Sequence, residues 1–308
     1  MLRGMNSKNR GVCFILLAVT LMSTGGLLIK SIEASAISIA FGRSLIAGCV
    51  FLPFIKWKKI KFSKNYIGLI ISYTYLTISF VIATKLTTAA NAIILQCTAP
   101  LWLYLAYLIG GKKKLVVREF IPRVTILAGI IIIFCDPLNA SGNVTAMAGN
   151  ILALSAGIAY ALEQYFMEKK YPMDDITIIG FINFIMAGVM LVFMHSQISF
   201  SGIPAINWLY LVLLGVFQIG ISYLFFLKGV RLVSAFEASI LSLLEPILNP
   251  VFVFLFVGEV PSTYTICGFA AILCGIMLTL IPNKKATVVA LGMEEVTETE
   301  EQKKKLLE

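Results

Sequence analysis

Histidine is almost missing from this chain: His195 is the only one. That removes most zinc sites and most acid–base catalysis, which draw on histidine more than on any other side chain. Charge is scarce as well. Only 13% of the residues are charged, where a soluble domain usually carries about 25%. No Gly-x-x-x-x-Gly-Lys-Ser/Thr loop is present, so the chain does not hydrolyse ATP by that route. There is no His-Glu-x-x-His segment and no Ser/His/Asp set. The six cysteines (Cys13, Cys49, Cys97, Cys135, Cys267 and Cys274) lie mostly within apolar runs and form no Cys-x-x-Cys pair. They read as small hydrophobes, with neither a disulfide framework nor a metal site. No metal and no cofactor are expected.

Apolar sequence is what the chain has in abundance: 59% of residues are hydrophobic and the mean hydropathy is +0.91. A net charge of +9 would suggest nucleic acid in a soluble protein. Here the basic residues cluster in short segments between apolar runs, the pattern of cytoplasmic membrane loops. The expected partner is therefore a lipid bilayer and not nucleic acid.

Crossing a hydrocarbon core of roughly 30 Å takes about 20 apolar residues as a helix. Ten segments qualify: about 11–29, 36–55, 65–84, 87–109, 121–138, 147–167, 176–195, 206–227, 233–257 and 263–282. The first follows Arg3, Lys8 and Arg10 in the manner of a signal peptide, but no small-residue cleavage site follows it, so it is read as a retained helix. Charge placement tests the count independently. With both termini in the cytoplasm, all of the 25 basic residues except Lys30, Arg43 and Lys85 fall on the cytoplasmic side. Residues 1–10 then form a cytoplasmic N-terminus, and the charge-mixed 283–308 a polar cytoplasmic tail.

The chain also repeats itself. KLTTAANAIILQCTAPLWLY from Lys85 aligns with RLVSAFEASILSLLEPILNP from Arg231 at an offset of 146 residues. Leu86/Leu232, Ala89/Ala235, Ala92/Ala238, Ile94/Ile240, Leu95/Leu241 and Pro100/Pro246 are identical. The shared proline is the informative member, since apolar sequence produces Leu and Ala matches by chance. Five spans separate the matched segments, and five is odd, so the second half enters the membrane from the opposite side. The expected fold is an all-α integral membrane protein of ten transmembrane helices in two inverted five-helix repeats, 11–138 and 147–282. Many secondary transporters are built this way, with substrate bound near the midplane between the halves.

At this point the sequence resembles the drug/metabolite transporter superfamily, in its ten-helix EamA-type form. The resemblance rests on Ser239-Ile-Leu-Ser-Leu-Leu-Glu245-Pro246 followed by Gly258-Glu259, with a weaker echo from Ala92 to Pro100 and Gly110-Gly111. The arginine in Ala40-Phe-Gly-Arg43-Ser-Leu-Ile-Ala47 fits the same pattern. Lys112-Lys113 departs from it, standing where the first repeat often ends in Gly-Glu. The resemblance implies transport of a small organic metabolite across the inner or plasma membrane by alternating access, with the last helix of each repeat at the periphery.

Within the spans, each ionisable group at mid-helix costs roughly 2.5–3.5 kcal/mol on insertion scales, so it faces a partner or a cavity. Arg43, Glu163, Glu237 and Glu245 are such groups. Glu245 lies near the midplane of span nine, and Pro246 and Pro250 beyond it remove backbone donors, as Pro100 does in span four. Ser242, Glu245 and Asn249 share one face of a regular helix. Glu245 is either a substrate or proton site or a packing carboxylate paired to Arg43. Arg43 offers a cation for a substrate carboxylate or for a neighbouring glutamate. Glu163 stands late in span six, where snorkelling to the interface is the alternative to a pathway role. Gln96 and Thr98 precede Pro100 and would line the first-half side of the same cavity. Asn183 and Gln218 are candidates for the pathway or for inter-helix hydrogen bonds of about 0.6 kcal/mol each. Tyr75, with Tyr73, Tyr160 and Tyr223, would supply an aromatic wall. Glutamates outnumber arginine in the spans, which favours cationic or zwitterionic cargo, or a coupling proton. A lipid flippase and a lipid-modifying enzyme are the competing classes, the enzyme disfavoured by the scarcity of histidine. Whether the protein forms a homodimer stays open.

Overall fold

The computed structural model describes residues 6–109, 117–136, 143–167, 169, 171–233 and 241–280. Among them there is no strand, and helix occupies each of the ten segments read from the sequence. The helices are α1 (Ser7–Ser31), α2 (Ala36–Phe51), α3 (Lys64–Leu86), α4 (Ala89–Gln96), α5 (Ala99–Ile109), α6 (Val117–Phe134), α7 (Val144–Met167) and α8 (Asp175–Met194). α9 runs through three stretches, Ala205–Leu213, a π-helical Leu214–Ile221 and Ser222–Val230. α10 (Glu245–Val257) and α11 (Thr263–Leu280) complete the described chain.

Local sequence sets the helix ends. Ser35, Ser63, Thr88 and Asp174 each accept the backbone N–H three residues on, from Ser38, Tyr66, Asn91 and Thr177, at 2.9–3.2 Å. Such caps contribute about 1 kcal/mol each. α10 stops at Gly258, whose φ of 77° is left-handed and suits glycine best.

Six helical runs among the described residues are long and apolar enough to cross a bilayer: Ser7–Ser31, Ala36–Phe54, Lys64–Leu86, Val144–Met167, Asp175–Gln197 and Ala205–Gly229. Four shorter apolar helices, Ala89–Leu105, Phe120–Phe134, Glu245–Val257 and Thr263–Leu278, stand in the other four places. Large apolar side chains such as Ile71, Ile131, Val192, Phe193 and Phe256 are exposed, while Ile15, Ile39, Ile93 and Ile126 are fully buried. In lipid, exchanging one apolar neighbour for another gains little, so helix association rests on close packing.

Glycine supplies that closeness. A Cβ on Gly129 of α6 would stand 2.6 Å from the carbonyl oxygen of Gly268 in α11, and one on Gly275 would stand 2.7 Å from that of Pro122. The last helix of each half therefore packs against the other. The remaining pairings follow the duplication. α3 packs on α7 as α9 packs on α1; α4 and α5 meet α7 as α10 meets α1; α2 with α8 and α4 with α10 are their own counterparts. α2 and α8 are tied at both ends. Ser38 exchanges hydrogen bonds with the backbone of Ser199 (2.9 Å each), and just beyond the far end of α2 Lys56 pairs with Asp174 at 2.7 Å. The hydrogen bond and charge of Lys56 hold the Asp174 carboxyl down at about 2. Because that value is depressed, the stability it contributes is full above the ordinary carboxylate range and is lost only as pH falls towards 2. Any pH dependence between 5 and 8 has another origin.

Gly129→Val should lower the melting temperature of the detergent-purified protein, with an overpacking cost of about 1–3 kcal/mol. Gly188→Ala in α8, where a Cβ would meet nothing within 4 Å, should leave it unchanged or slightly raised. Equal damage from the two would contradict this account of packing.

Candidate functional site

Two passages are interrupted, at matching points. A turn at Cys97–Thr98 separates α4 from α5, and a turn at Leu243–Leu244 precedes α10. The 146-residue offset carries one turn onto the other. Their hydrogen bonds match as well. Thr98 N donates to Leu95 O (3.3 Å) and Leu101 N to Thr98 O (2.9 Å), as Leu244 N donates to Leu241 O and Ile247 N to Leu244 O (3.2 Å each). The cause is the shared proline. Pro100 and Pro246 have no N–H to give, and their rings crowd the carbonyl four residues back, so the chain tightens into three-residue turns. Pro250 behaves differently: it lies inside α10 and does not break it.

A helix from the other half crosses the first break. Gly157 of α7 lies so close that a Cβ would stand 2.9 Å from Leu95 O and 3.1 Å from Gln96 O. Near the second, a Cβ on Gly26 of α1 would collide with Asn249 Oδ1. Gly25 similarly makes room for Gln218. Thr98 is satisfied locally, donating to Leu95 O (2.6 Å) and accepting from Trp102 Nε1 (3.0 Å). Gln96 Oε1 and Asn249 Oδ1 are buried without a hydrogen-bond partner among the described residues. The polar stripe expected over Ser242, Glu245 and Asn249 is not continuous, because the turn falls between Ser242 and the other two. Glu237 lies outside the described residues.

Charged and aromatic groups gather where α2, α3, α7 and α9 meet. Arg43, on α2, is only 3% exposed. Its Nη1 donates to Gln218 Oε1 and its Nη2 to Thr77 O, both at 3.4 Å, while Nε has no partner. Arg43 is paired neither with Glu245 nor with any other carboxylate among the described residues. Gln218, its partner, belongs to the π-helical stretch of α9, a distortion often found at functional sites. Glu163 does not snorkel. It is 2% exposed on α7; Oε1 accepts from Tyr223 OH (3.3 Å) and Oε2 has no partner. Tyr73 packs edge-on against Tyr223, ring centres 5.9 Å apart, and donates to Asn183 Oδ1 (2.9 Å). Asn183 in turn donates to Ile179 O within α8 (2.8 Å), and its bond to Tyr73, like that of Gln218 to Arg43, joins two helices.

Glu245, half-buried at the first position of α10, lies within electrostatic reach of Glu163, Tyr160 and Tyr223. No hydrogen bond joins its carboxylate to a described residue. The partial positive charge of the helix start favours an anion there. Tyr75 stands apart: it is 48% exposed and bonds Ser155 at 3.0 Å, so the aromatic wall consists of Tyr73, Tyr160 and Tyr223. A narrow crevice of about 10 Å³, room for about one water molecule, runs beside Glu163, Tyr73 and Tyr223, walled by Leu69, Met167 and Ile179 among others.

One polar cluster escapes sequence reasoning. Lys30, at the end of α1, pairs with Glu259 (2.8 Å) and donates to Thr87 O (2.7 Å). The other oxygen of Glu259 accepts the N–H of Ala89 (2.6 Å), and Lys85 donates to Ile32 O (2.6 Å). Lys30 and Lys85 are the two loop lysines that the charge pattern left as exceptions, and Glu259 belongs to the Gly258-Glu259 segment, but nothing in the sequence joins them.

Comparison with known proteins identifies the family. The profile of the EamA-like transporter family matches residues 9–135 and again 147–281. A Clostridium kluyveri protein named as an uncharacterized transporter is 27% identical over 296 residues, covering 90% of this chain and 95% of that one. The Bacillus subtilis uncharacterized transporter YxxF is 24% identical over 310 residues, covering 94% and 96%. A solved crystal structure superposes with a TM-score of 0.61 at 15% identity, over 88% of this chain and 97% of its own, a likeness of fold alone. With matches across both halves, the chain belongs to the EamA-like transporter family and shares its ten-helix membrane fold.

Proposed function

We propose that this protein moves a small organic metabolite, an amino acid, amine or similar solute, across the cell membrane by alternating access. In this reading residues 11–138 and 147–282 are two inverted halves, both termini lie in the cytoplasm, and substrate binds where the halves meet. The observation that carries it is the pair of corresponding helix breaks with Glu245 and Glu163 beside them. Irregular backbone and unpaired charge at membrane depth persist only where they are enclosed by protein or line a polar cavity. Matching interruptions in the two halves are the arrangement in which broken helices hold substrate. Glu163 and Glu245 are also the groups able to take up a coupling proton.

Alternating access needs contacts that form and break in turn. On the outer side these are the Lys30–Glu259 pair and the Glu259–Ala89 hydrogen bond, which tie α1 and the start of α4 to the loop after α10. Glu259 serves as an external cap for α4, so releasing it exposes a helix start and lets the outer ends of the two halves part.

Counterflow in proteoliposomes tests the reading, with solutes chosen by a thermal-shift screen over amino acids, amines, nucleosides and sugars. At least one amino acid or amine should exchange, and Glu163→Gln and Glu245→Gln should each slow that exchange about ten-fold or more. Exchange by both variants at the unaltered rate, with unaltered pH dependence, would refute the role of the carboxylates. Glu259→Gln and Lys30→Met should raise the labelling of a cysteine placed at the buried Ala92 of α4, read with a membrane-impermeant thiol reagent. If labelling stays at the background level in both, the outer contact is not a gate.

A further inference from the structure

The segment joining α2 to α3, from Leu52 to Ser63, takes no part in the site described above. It connects two helical runs that are each long and apolar enough to cross the bilayer, so it lies where hydrocarbon gives way to headgroups. Lys56, Lys58, Lys59 and Lys61 fall within it and Lys64 opens α3, while no Asp or Glu occurs between Glu33 and Glu119. Lys56 pairs with Asp174, and the adjoining acid, Asp175, is taken by Arg231 at 2.6 Å. Lys58, Lys59, Lys61 and Lys64 are exposed and pair with no carboxylate among the described residues. Phe54, Trp57 and Phe62, each more than half exposed, alternate with these lysines. Aromatic rings at the end of a membrane helix sit at headgroup level, apolar body towards the acyl chains.

Lysines on a loose loop meet whatever lipid is near, but this segment is held in one shape. Ile55 and Tyr66 are buried on either side of it. Lys56 N donates to Thr177 Oγ1 of α8 (3.1 Å), Lys59 N to Lys56 O (2.8 Å) and Ile60 N to Trp57 O (3.2 Å). Trp57 and Phe62 both pack edge-on against Phe181 of α8, with ring centres 5.9 Å away in each case. Lys58, Lys59 and Lys61 are thus carried on a short arch clasped at both feet to one ring. Its ordering cost is met before any ligand arrives. Crowded like charges repel one another unless they share an anion.

We infer that this arch is a binding site for an anionic phospholipid, its phosphate shared by Lys58, Lys59 and Lys61 and its acyl chains lying against Phe54, Trp57 and Phe62. A soluble phosphate would answer the lysines and leave the aromatic faces in water. A zwitterionic lipid would bring its own ammonium group into a cluster that is already cationic. Basic residues beside a membrane helix attract anionic headgroups, and the attraction falls off within a Debye length. The arch rises from the first half of the chain and is fastened to α8 of the second, so the lipid sits at a joint between the halves. The inference needs neither the cargo nor the transport cycle proposed above.

Trp57 itself reports occupancy. In the full chain with Trp102→Phe and Trp208→Phe, reconstituted in phosphatidylcholine vesicles, brominated lipids quench Trp57 where they touch it. Brominated phosphatidylglycerol should do so at mole fractions about ten-fold or more below those needed by brominated phosphatidylcholine. Lys58→Gln, Lys59→Gln and Lys61→Gln together should abolish that advantage. Lys303→Gln, Lys304→Gln and Lys305→Gln, an equal loss of charge in the tail, should leave it intact. Thermal shift of the unaltered chain in detergent needs no variant to fold. There phosphatidylglycerol should raise the melting temperature more than phosphatidylcholine or glycerol 3-phosphate at the same concentration. Equal effects of the two lipids, or of phosphatidylglycerol and glycerol 3-phosphate, would overturn the lipid site. So would an advantage that the tail variant loses as fully as the arch variant.

Discussion

A bilayer offers no water to a carbonyl that has lost its helical partner, and the architecture of this protein follows from where it lets that happen. Pro100 and Pro246 each interrupt a membrane helix, leaving backbone groups that must be enclosed or put to use. Enclosure accounts for the glycines that face the broken segments. Gly157 brings α7 against the Leu95 and Gln96 carbonyls, and Gly26 seats α1 against Asn249. Any larger residue would push the covering helix away and expose the break to lipid. The need to cover both breaks therefore dictates which helices meet: α7 over one, α1 over the other, and α4 beside α10 between them.

The same enclosure makes buried charge tolerable. Glu163 and Glu245 stand beside the broken backbone, while Arg43 and Glu163 reach polar groups of α3 and α9. None is fully satisfied, which distinguishes this cluster from a structural ion pair. Lys30 and Glu259 show the contrast. That pair is short and partly exposed, and it shares its remaining hydrogen-bonding capacity with Thr87 and Ala89. One cluster is partly exposed and paired, while the other is buried and keeps polar atoms without a partner among the described residues.

Much of this was legible in the sequence, and the remainder was hidden for physical reasons. Hydropathy and loop charge located every helical passage, and the shared proline located both breaks, because a missing N–H acts locally. The facing of individual residues was not legible. The polar residues of α3 (Ser72, Thr74, Thr77, Ser79 and Thr84 among them) are spread around its circumference, so no amphipathic pattern tells that Tyr73 turns inward and Tyr75 outward. Glu163 sits where a carboxylate could reach the interface, and only the packing of Tyr223 against it reveals its burial. Arg43 and Glu245 looked like natural partners because few charges were available, yet Gln218, from a π-helical stretch with no sequence signature, takes the arginine. The Lys30–Glu259 contact joins residues from opposite ends of the chain, and no local pattern encodes such a pair.

The central claim is that the two breaks border one water-accessible pathway at mid-membrane. Thiol accessibility tests it directly. In a protein whose other cysteines are replaced by serine or alanine, native Cys97 and, separately, Leu243→Cys are exposed to a small hydrophilic thiol reagent in sealed vesicles. Phe256→Cys, on an exposed apolar face of α10, serves as the lipid-facing reference. Both break positions should react, and a transported solute should slow both reactions, while the reference stays inert. Reaction at neither break, or at one that solute does not affect, would contradict a shared pathway between the halves.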